Sequence, residues 1–342
     1  MWEVKNKTPF VAGGAFERDR NGREFWCVAI RARFNVEADG LCRISDDSPW
    51  IRLGPEYADE EAQELASDTD IAPFKPSTDI LLKGTVQSVK SGIGSQPVRM
   101  RVGHLEKRAL VLGARILEVN GGKPKLVSQF ELAKETPLSW SGAYGGRDFC
   151  SDDEAEVCES NPVGTGYCSS PLKALPDGSR VALPLFENPD EPITGESGPV
   201  RPTGFGAVQR FWKPRKEHAG TFDETWERSR APVLPEDFDE RFYQTAPMDQ
   251  IWDGFIRGGE TVAFEGFNKE GAYEFRLPQI ILEAKTRLGG RAYTTRFNCV
   301  SVEFYPDRKD FEMVWNTHVP CNGQDHLISS SLVRVKQMAG VR

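Results

Sequence analysis

The feature that most constrains this chain is a period-two alternation. In EFWCVAIRARFNVE, residues 24–37, Phe25, Cys27, Ala29, Ala32, Phe34 and Val36 nearly alternate with their neighbours. Such alternation puts the two sets of side chains on opposite faces of an extended strand. The pattern slips once, at Ile30–Arg31, which predicts a bulge or a change of face. Further strand-like runs follow at 79–89, 98–102, 108–119 and 125–132, punctuated by Gly84, Gly103, Gly113 and Asn120-Gly121-Gly122. Asn-Gly between two apolar runs signals a hairpin. After residue 260 the alternation returns in ETVAFEGF, AYEFRLPQI, RAYTTRFNCVSVEFYPD and FEMVWNTHVP, with a turn expected from Asp307 to Asp310.

Helical signals are few and short. Residues 55–68 carry Pro55 at a possible start with acids behind it, and 235–243 and 329–340 are two further candidates. Residues 136–215 are crowded with Pro, Gly, Ser and Asn, which predicts sparse regular structure. Within them, 186–204 reads as a flexible or extended connector. Irregular segments of that length usually carry function or pack by their own side chains. The expected fold is mainly β: antiparallel sheets, sandwich or barrel-like, with long irregular loops and few short helices. One β-rich unit spanning 1–342 is expected, with the connector at about 136–215 between two strand-rich halves.

Charge and cysteine usage narrow the function classes. The net charge is -8 and no basic block occurs, so direct nucleic-acid binding is not expected and a basic partner is favoured over an acidic one. No run approaches the roughly 18 apolar residues of a membrane span, and MWEVKNKTPF lacks the apolar core of a signal peptide. The seven cysteines, Cys27, Cys42, Cys150, Cys158, Cys168, Cys299 and Cys321, are odd in number and irregularly spaced. That predicts a reduced, cytoplasmic protein, although Cys150, Cys158 and Cys168 share one loop-like region and could pair on oxidation.

No constellation of catalytic residues stands out. The common nucleophile-elbow, zinc-protease, phosphate-loop and dinucleotide fingerprints are absent from the sequence. SGIGS, 91–95, is a glycine-rich turn without the following helix a phosphate cradle needs. His318, Cys321 and His326 cluster, but a closed zinc site needs a fourth ligand, which only Cys299 on another strand would supply; a surface loop is preferred. In 213–239, Arg215, His218 and Asp223 would be an anion grip and acid–base groups of a hydrolase. The bland reading makes Asp223 a helix cap, Trp226 a buried anchor and Arg215 a bridge to backbone carbonyls, and it is favoured. A carbohydrate- or peptide-binding β module is the other alternative; exposed Trp and Tyr in a groove would favour it, and burial of Trp140, Trp212 and Trp226 would count against it. No metal and no cofactor is expected.

The stretch SDTDIAPFKPSTDILLKG, 67–84, looks first like a metal loop. Asp68 and Asp70 begin a calcium-like spacing, but Ile71–Phe74 abandons it. Pro73 and Pro76 favour an extended entry into an apolar run. Lys75 is expected to pair with Asp79 or Asp68 and hold that bend.

An ordered series of short landmarks adds to these readings. They are NKTPF (6–10), SDTDIAPFKPSTDILLKG (67–84), VRMRVG (98–103), ALVLGAR (109–115), SWSGAYGGRDF (139–149), NPVGTGY (161–167), LP (183–184), GFGAVQRFWKPR (204–215), AGTFDETWERSRAPVLPEDFD (219–239) and FYQTAPMDQ (242–250). Together, over roughly 6–320, they resemble the bacterial domain-of-unknown-function family 2169 (DUF2169). The pattern around Lys75, Pro76, Asp79 and Gly84 is intact. So are Tyr144, Gly145, Gly146, Asn161, Pro162, Gly164, Gly166, Thr221 and Trp226, whereas 150–160 matches nothing in it. The resemblance implies a cytoplasmic adaptor or chaperone of the type VI secretion system, which helps an effector toxin engage the VgrG spike protein. It supplies no catalytic residues. On that expectation Tyr144, Arg147, Arg215, Asp223 and Trp226 are candidate protein-binding residues, and Lys75, Pro76, Asp79 and Gly84 are structural.

Overall fold

A computed structural model describes residues 2–59, 61, 64–151, 156–194 and 196–342. It is mainly β, with several antiparallel sheets, one short α-helix (Glu224–Ser229) and no closed barrel among the described residues. The central sheet runs, in spatial order, Val11–Arg18, Glu24–Val36, Asp310–Pro320, Asn298–Tyr305 and Asp79–Leu82, and Cys42–Ile44 pairs with Glu24–Val36 as well. Its pairs are antiparallel except the last, where Asp79–Leu82 runs parallel to Asn298–Tyr305. A second sheet orders Phe186–Glu187, Leu105–Leu112, Ser95–Val102, Thr261–Glu265 and Tyr273–Arg276. A third pairs Glu3–Lys7, Ile328–Ala339, Gln279–Leu288 and Arg291–Arg296. One apolar core takes Ile30 and Phe34 from the first sheet, Met100 and Phe264 from the second and Leu282 and Val333 from the third.

Of the two expectations for the slip at Ile30–Arg31, the change of face holds: Phe25, Cys27 and Ala29 lie on one side of the strand and Ala32, Phe34 and Val36 on the other. Trp26, Val28, Ile30, Ala32 and Phe34 enter the main core, and Cys27 and Ala29 face a smaller cluster on the other side. The register through Ile30 and Arg31 is unbroken against both neighbouring strands, so there is no bulge at the slip. Arg31 breaks the hydropathy pattern because it is a buried charge. The turn from Asp307 to Asp310 joins Asn298–Tyr305 to Asp310–Pro320 as expected.

Two expected helices are replaced by strands. Residues 55–68 contain the antiparallel pair Glu56–Asp59 and Glu64–Ser67; positions 60, 62 and 63 lie outside the described residues. Residues 329–340 fall in the strand Ile328–Ala339, which pairs with Glu3–Lys7 on one side and Gln279–Leu288 on the other. Ladder hydrogen bonds on both edges outweigh a weak helical preference. Within 235–243 only the 3₁₀ turn Glu240–Tyr243 forms, capped by Asp239. The run 79–89 divides into Asp79–Leu82 and Thr85–Gln87, which join different sheets. Gly84 makes the break at φ +88°, where a Cβ would lie 2.3 Å from the Asp307 carboxylate.

The charge at Arg31 belongs to a buried network that ties the central sheet to the 67–84 segment. Arg31 donates to Glu312 (Nε, 3.0 Å) and pairs with Asp70 at 3.2 Å. Arg33 pairs with the other Glu312 oxygen at 2.6 Å. Arg52 reaches Asp70 at 2.7 Å and Glu303 at 2.6 Å, and Lys83 pairs with Glu303 from the opposite side. Beside it, Asp68 receives Arg210 at 2.6 Å and Arg215 at 2.5 Å. Lys75 pairs with Asp79 at 2.8 Å, one of the two partners expected, and the same Asp79 oxygen accepts from the Thr245 N–H and hydroxyl. The acids of SDTD therefore neutralise arginines rather than hold a metal. Pro73 takes part in a turn closed by the Lys75 N–H on the Ala72 carbonyl.

Burial raises carboxyl pKa values, but neighbouring cations overturn that at two sites. Arg52 and Lys83 hold Glu303 well below the ordinary range, and Arg215 and Arg210 do the same to Asp68. At Asp70 burial wins over Arg52 and Arg31, and the pKa rises. Removing one partner of such a network leaves an uncompensated buried charge. Arg52→Met is accordingly expected to cost about 3–5 kcal/mol of unfolding free energy in urea titrations. The depressed pKa values of Glu303 and Asp68 contribute stability that is present above the unfolded carboxylate range and lost as pH falls through about 4 and below. Asp70 works in the opposite direction but is one group against two. Thermal melts between about pH 6 and about pH 3 should show Tm falling, and less so in Asp68→Asn.

Candidate functional site

Along Leu105–Leu112 the side chains alternate inward and outward, with Glu106 and Arg108 exposed and Lys107 buried. A buried lysine needs acceptors, and three converge on it. Its ammonium donates to the Gly204 carbonyl, to Asp249 Oδ1 at 2.9 Å and to Gln250 Oε1 at 2.8 Å, and it sits 4.9 Å from the centre of the Phe205 ring. Burial lowers the Lys107 pKa, and Asp249 opposes that shift. The Gln250 amide in turn donates to the Ile80 and Phe205 carbonyls. One lysine thereby pins two irregular segments, around 204 and around 249, onto the second sheet.

Between those segments lies a cleft of about 380 Å³. Trp140, Val208, Pro202, Pro214, Pro247 and Met248 make its apolar walls. Trp140 is fixed on several sides: its backbone N–H donates to Glu64, its indole N–H to the Ala207 carbonyl at 2.9 Å, and its ring meets Trp212 edge-on at 5.7 Å. A Cβ at Gly204 would lie 2.3 Å from that ring, so only glycine lets the connector pass so close. Buried Asn161 donates to the Trp140 and Tyr144 carbonyls and ties NPVGTGY to SWSGAYGG.

The rim is charged and paired. Arg108 meets Asp190 across the mouth at 2.9 Å, Lys213 meets Glu159 at 2.6 Å, and Arg201 lies 3.9 Å from Glu191. These groups are about half exposed or more, and pairs of this kind contribute about 0–1 kcal/mol. Met248, at 73 % exposure, projects beside them.

The expected binding residues are scattered, and two of them are corrected. Tyr144 is buried and its hydroxyl accepts from the Cys168 N–H. Arg215 is buried against Asp68, the Val208 carbonyl at 2.9 Å and the Phe242 carbonyl at 2.8 Å. Neither is accessible to a partner in the folded chain. Asp223 accepts from the Trp226 N–H at 2.8 Å as the cap of Glu224–Ser229, and the half-buried Trp226 donates to the Val233 carbonyl. Arg147 is exposed beside the bridge to Val157. Arg215 and Asp223 thus both take part in structural hydrogen bonds, and His218 ends the 3₁₀ turn Arg215–His218. Trp140 and Trp212 are buried, which counts against the carbohydrate- or peptide-binding alternative.

The other candidates also resolve. His318 packs against the rings of Phe25 and Phe74, each 5.3 Å away, while Cys299 and Cys321 are buried and His326 is exposed. Among the described residues these four form no ligand group. Cys150 and Cys168 are joined as a disulfide, contrary to an entirely reduced chain, with the other five cysteines free. The loop folds back so that their Cα atoms lie 5.3 Å apart, the one pairing formed of those their shared loop allowed. The acidic run 152–155 of the unmatched segment lies outside the described residues.

The cleft residues Lys107, Arg108, Asp190 and Met248 are none of the candidate binding residues named from the sequence. A lysine at an inward position of an alternating strand was the one available signal. Lys107→Met would leave the Gly204 carbonyl and Gln250 Oε1 without their donor, and is expected to lower stability by about 2–3 kcal/mol in chemical denaturation. The conservative Lys107→Arg should recover part of that loss.

Compared with known proteins, a family model described as "Uncharacterized protein conserved in bacteria (DUF2169)" matches residues 21–316. No curated protein and no solved structure matches the chain.

Proposed function

The chain belongs to the DUF2169 family of bacterial proteins, and from that premise we propose that it is a cytoplasmic adaptor of a type VI secretion system, binding an effector toxin and aiding its loading onto the VgrG spike. The observation that carries this reading is the cleft held open by Lys107. Its walls are apolar and rigidly backed, and its rim is a ring of weak, exposed ion pairs. Exchanging Arg108–Asp190 or Lys213–Glu159 for contacts with a partner's charges would cost little, while the apolar walls supply the burial. Its size suits a short segment or a few anchoring side chains rather than a whole domain. No helix among the described residues is long and apolar enough to cross a membrane.

The test is direct. The purified chain is mixed with a type VI effector and a VgrG protein from the same bacterium, and binding is followed by calorimetry and co-elution. A stable binary complex with at least one of them is expected, and no complex with either overturns the reading. Met248→Asp, at an exposed position on the cleft mouth, should leave Tm unchanged and weaken the complex about tenfold or more.

A further inference from the structure

Asp68, Asp70, Glu303 and Glu312 are buried acids that each face a cation. Asp148 is buried as deeply, at 2 % exposure, and no cation pairs with it among the described residues. Its Oδ1 accepts two backbone N–H groups instead, from Cys150 at 2.8 Å and from Ser169 at 3.0 Å. Those bonds fix the carboxylate against the Cys150–Cys168 disulfide. One of its oxygens and the two sulfurs all lie within 4.8 Å of one another. Cys168 is buried in the apolar cluster of Leu117, Val181 and Leu183, and the half-buried Cys150 packs on the edge of that cluster.

Disulfides are rare wherever dithiols keep cysteines reduced. Exchange with such a dithiol passes two electrons and two protons to the Cys150–Cys168 bond. The S–S bond breaks, two thiols form, and the dithiol leaves as a disulfide. The reduced site then gathers two soft sulfurs and one carboxylate oxygen. Hard cations such as calcium and magnesium prefer oxygen alone, whereas zinc takes this mixture. Zn–S bonds of about 2.3 Å at tetrahedral angles put the sulfurs about 3.8 Å apart. Rotation about the two Cα–Cβ bonds reaches that separation with the Cα atoms left at 5.3 Å. The N–H bonds to Asp148 are the outer support that a ligating carboxylate needs. Three protein ligands leave a fourth position for water, on the more open Cys150 side. Cys158, the third cysteine of the loop, lies outside the group, with its thiol 3.3 Å from Ser160 Oγ.

We infer that the reduced chain binds one zinc ion through Asp148, Cys150 and Cys168, and that oxidation to the disulfide expels it. The inference goes beyond the adaptor reading and does not depend on it. Binding displaces both thiol protons. A sulfur–sulfur bond and a sulfur–zinc–sulfur bridge both tie residue 150 to residue 168. The segment between them carries Glu159, which meets Lys213 on the cleft rim, and Asn161, which donates to the Trp140 carbonyl. That segment is therefore held closed in reducing and in oxidising surroundings.

The whole chain is reduced with a phosphine, freed of metal and titrated with zinc by calorimetry without oxygen. Cobalt is then added in place of zinc and its absorption recorded. Thermal melts check that each variant is folded. One zinc per reduced chain is expected, with a cobalt–thiolate charge-transfer band in the near ultraviolet and no uptake by the oxidised chain. Cys150→Ser, Cys168→Ser and Asp148→Asn should each weaken zinc binding more than about a hundredfold, beyond what a supporting residue costs. Cys158→Ser should bind as the wild type does. If the serine variants are unstable, the cobalt spectrum of the wild-type chain decides, and absence of the thiolate band overturns the inference. No zinc on the reduced chain, equal uptake by the oxidised chain, or uptake unchanged in folded Cys150→Ser, Cys168→Ser or Asp148→Asn also overturns it. Each of these failures leaves the adaptor reading standing, because no effector or spike protein enters the test.

Discussion

Arg31 and Arg52 are buried together with Asp70, Glu303 and Glu312, Lys83 is half-buried beside them, and each buried charge is tolerable only while its partners stay in place. The central sheet depends on that condition. Apolar alternation tells a strand which face to bury, but most apolar pairs would accept a neighbour shifted by two residues. A carboxylate shared by two arginines does not accept the shift, because it would strand a charge away from water. Glu312 joins Arg31 and Arg33 of one strand to the next, and Glu303 joins that sheet to Arg52 and Lys83. The network specifies register, and the apolar core supplies the main driving force for burial.

A second set of polar anchors extends the same logic to the irregular segments. Asp68 holds Arg210 and Arg215, Asp79 holds Lys75 and Thr245, and Lys107 holds Gly204, Asp249 and Gln250. These residues lie in SDTDIAPFKPSTDILLKG, GFGAVQRFWKPR and FYQTAPMDQ, or on the strand that meets them. The landmarks scattered along the chain are thus contacts of one another, and their joint product is a rigid frame for the cleft.

Much of this architecture is legible locally. The strands around 24–36, 95–112 and 260–320 follow from alternation, and Gly84 marks its break because only glycine reaches that conformation so near Asp307. The strand Ile328–Ala339 carries a local helical preference, and the two ladders that override it come from residues 3–7 and 279–288. The slip at Arg31 was visible, but its cause was not, since the carboxylate that explains it lies 281 residues away. The functional positions fared worst. Tyr144 and Arg215 drew notice as polar groups beside glycines and prolines, which also describes residues that staple loops from within.

The sequence by itself determined the class of fold and the structural part played by Lys75, Asp79 and Gly84. Each follows from side-chain periodicity or backbone freedom, and both act over a few residues. Only the tertiary structure decided which acid neutralises which arginine, which lysine opens the cleft, and which tryptophans face solvent. Those outcomes depend on Coulombic and packing contacts between groups brought together from opposite ends of the chain. Burial changes their energies by several kcal/mol, and burial is a property of the assembled fold.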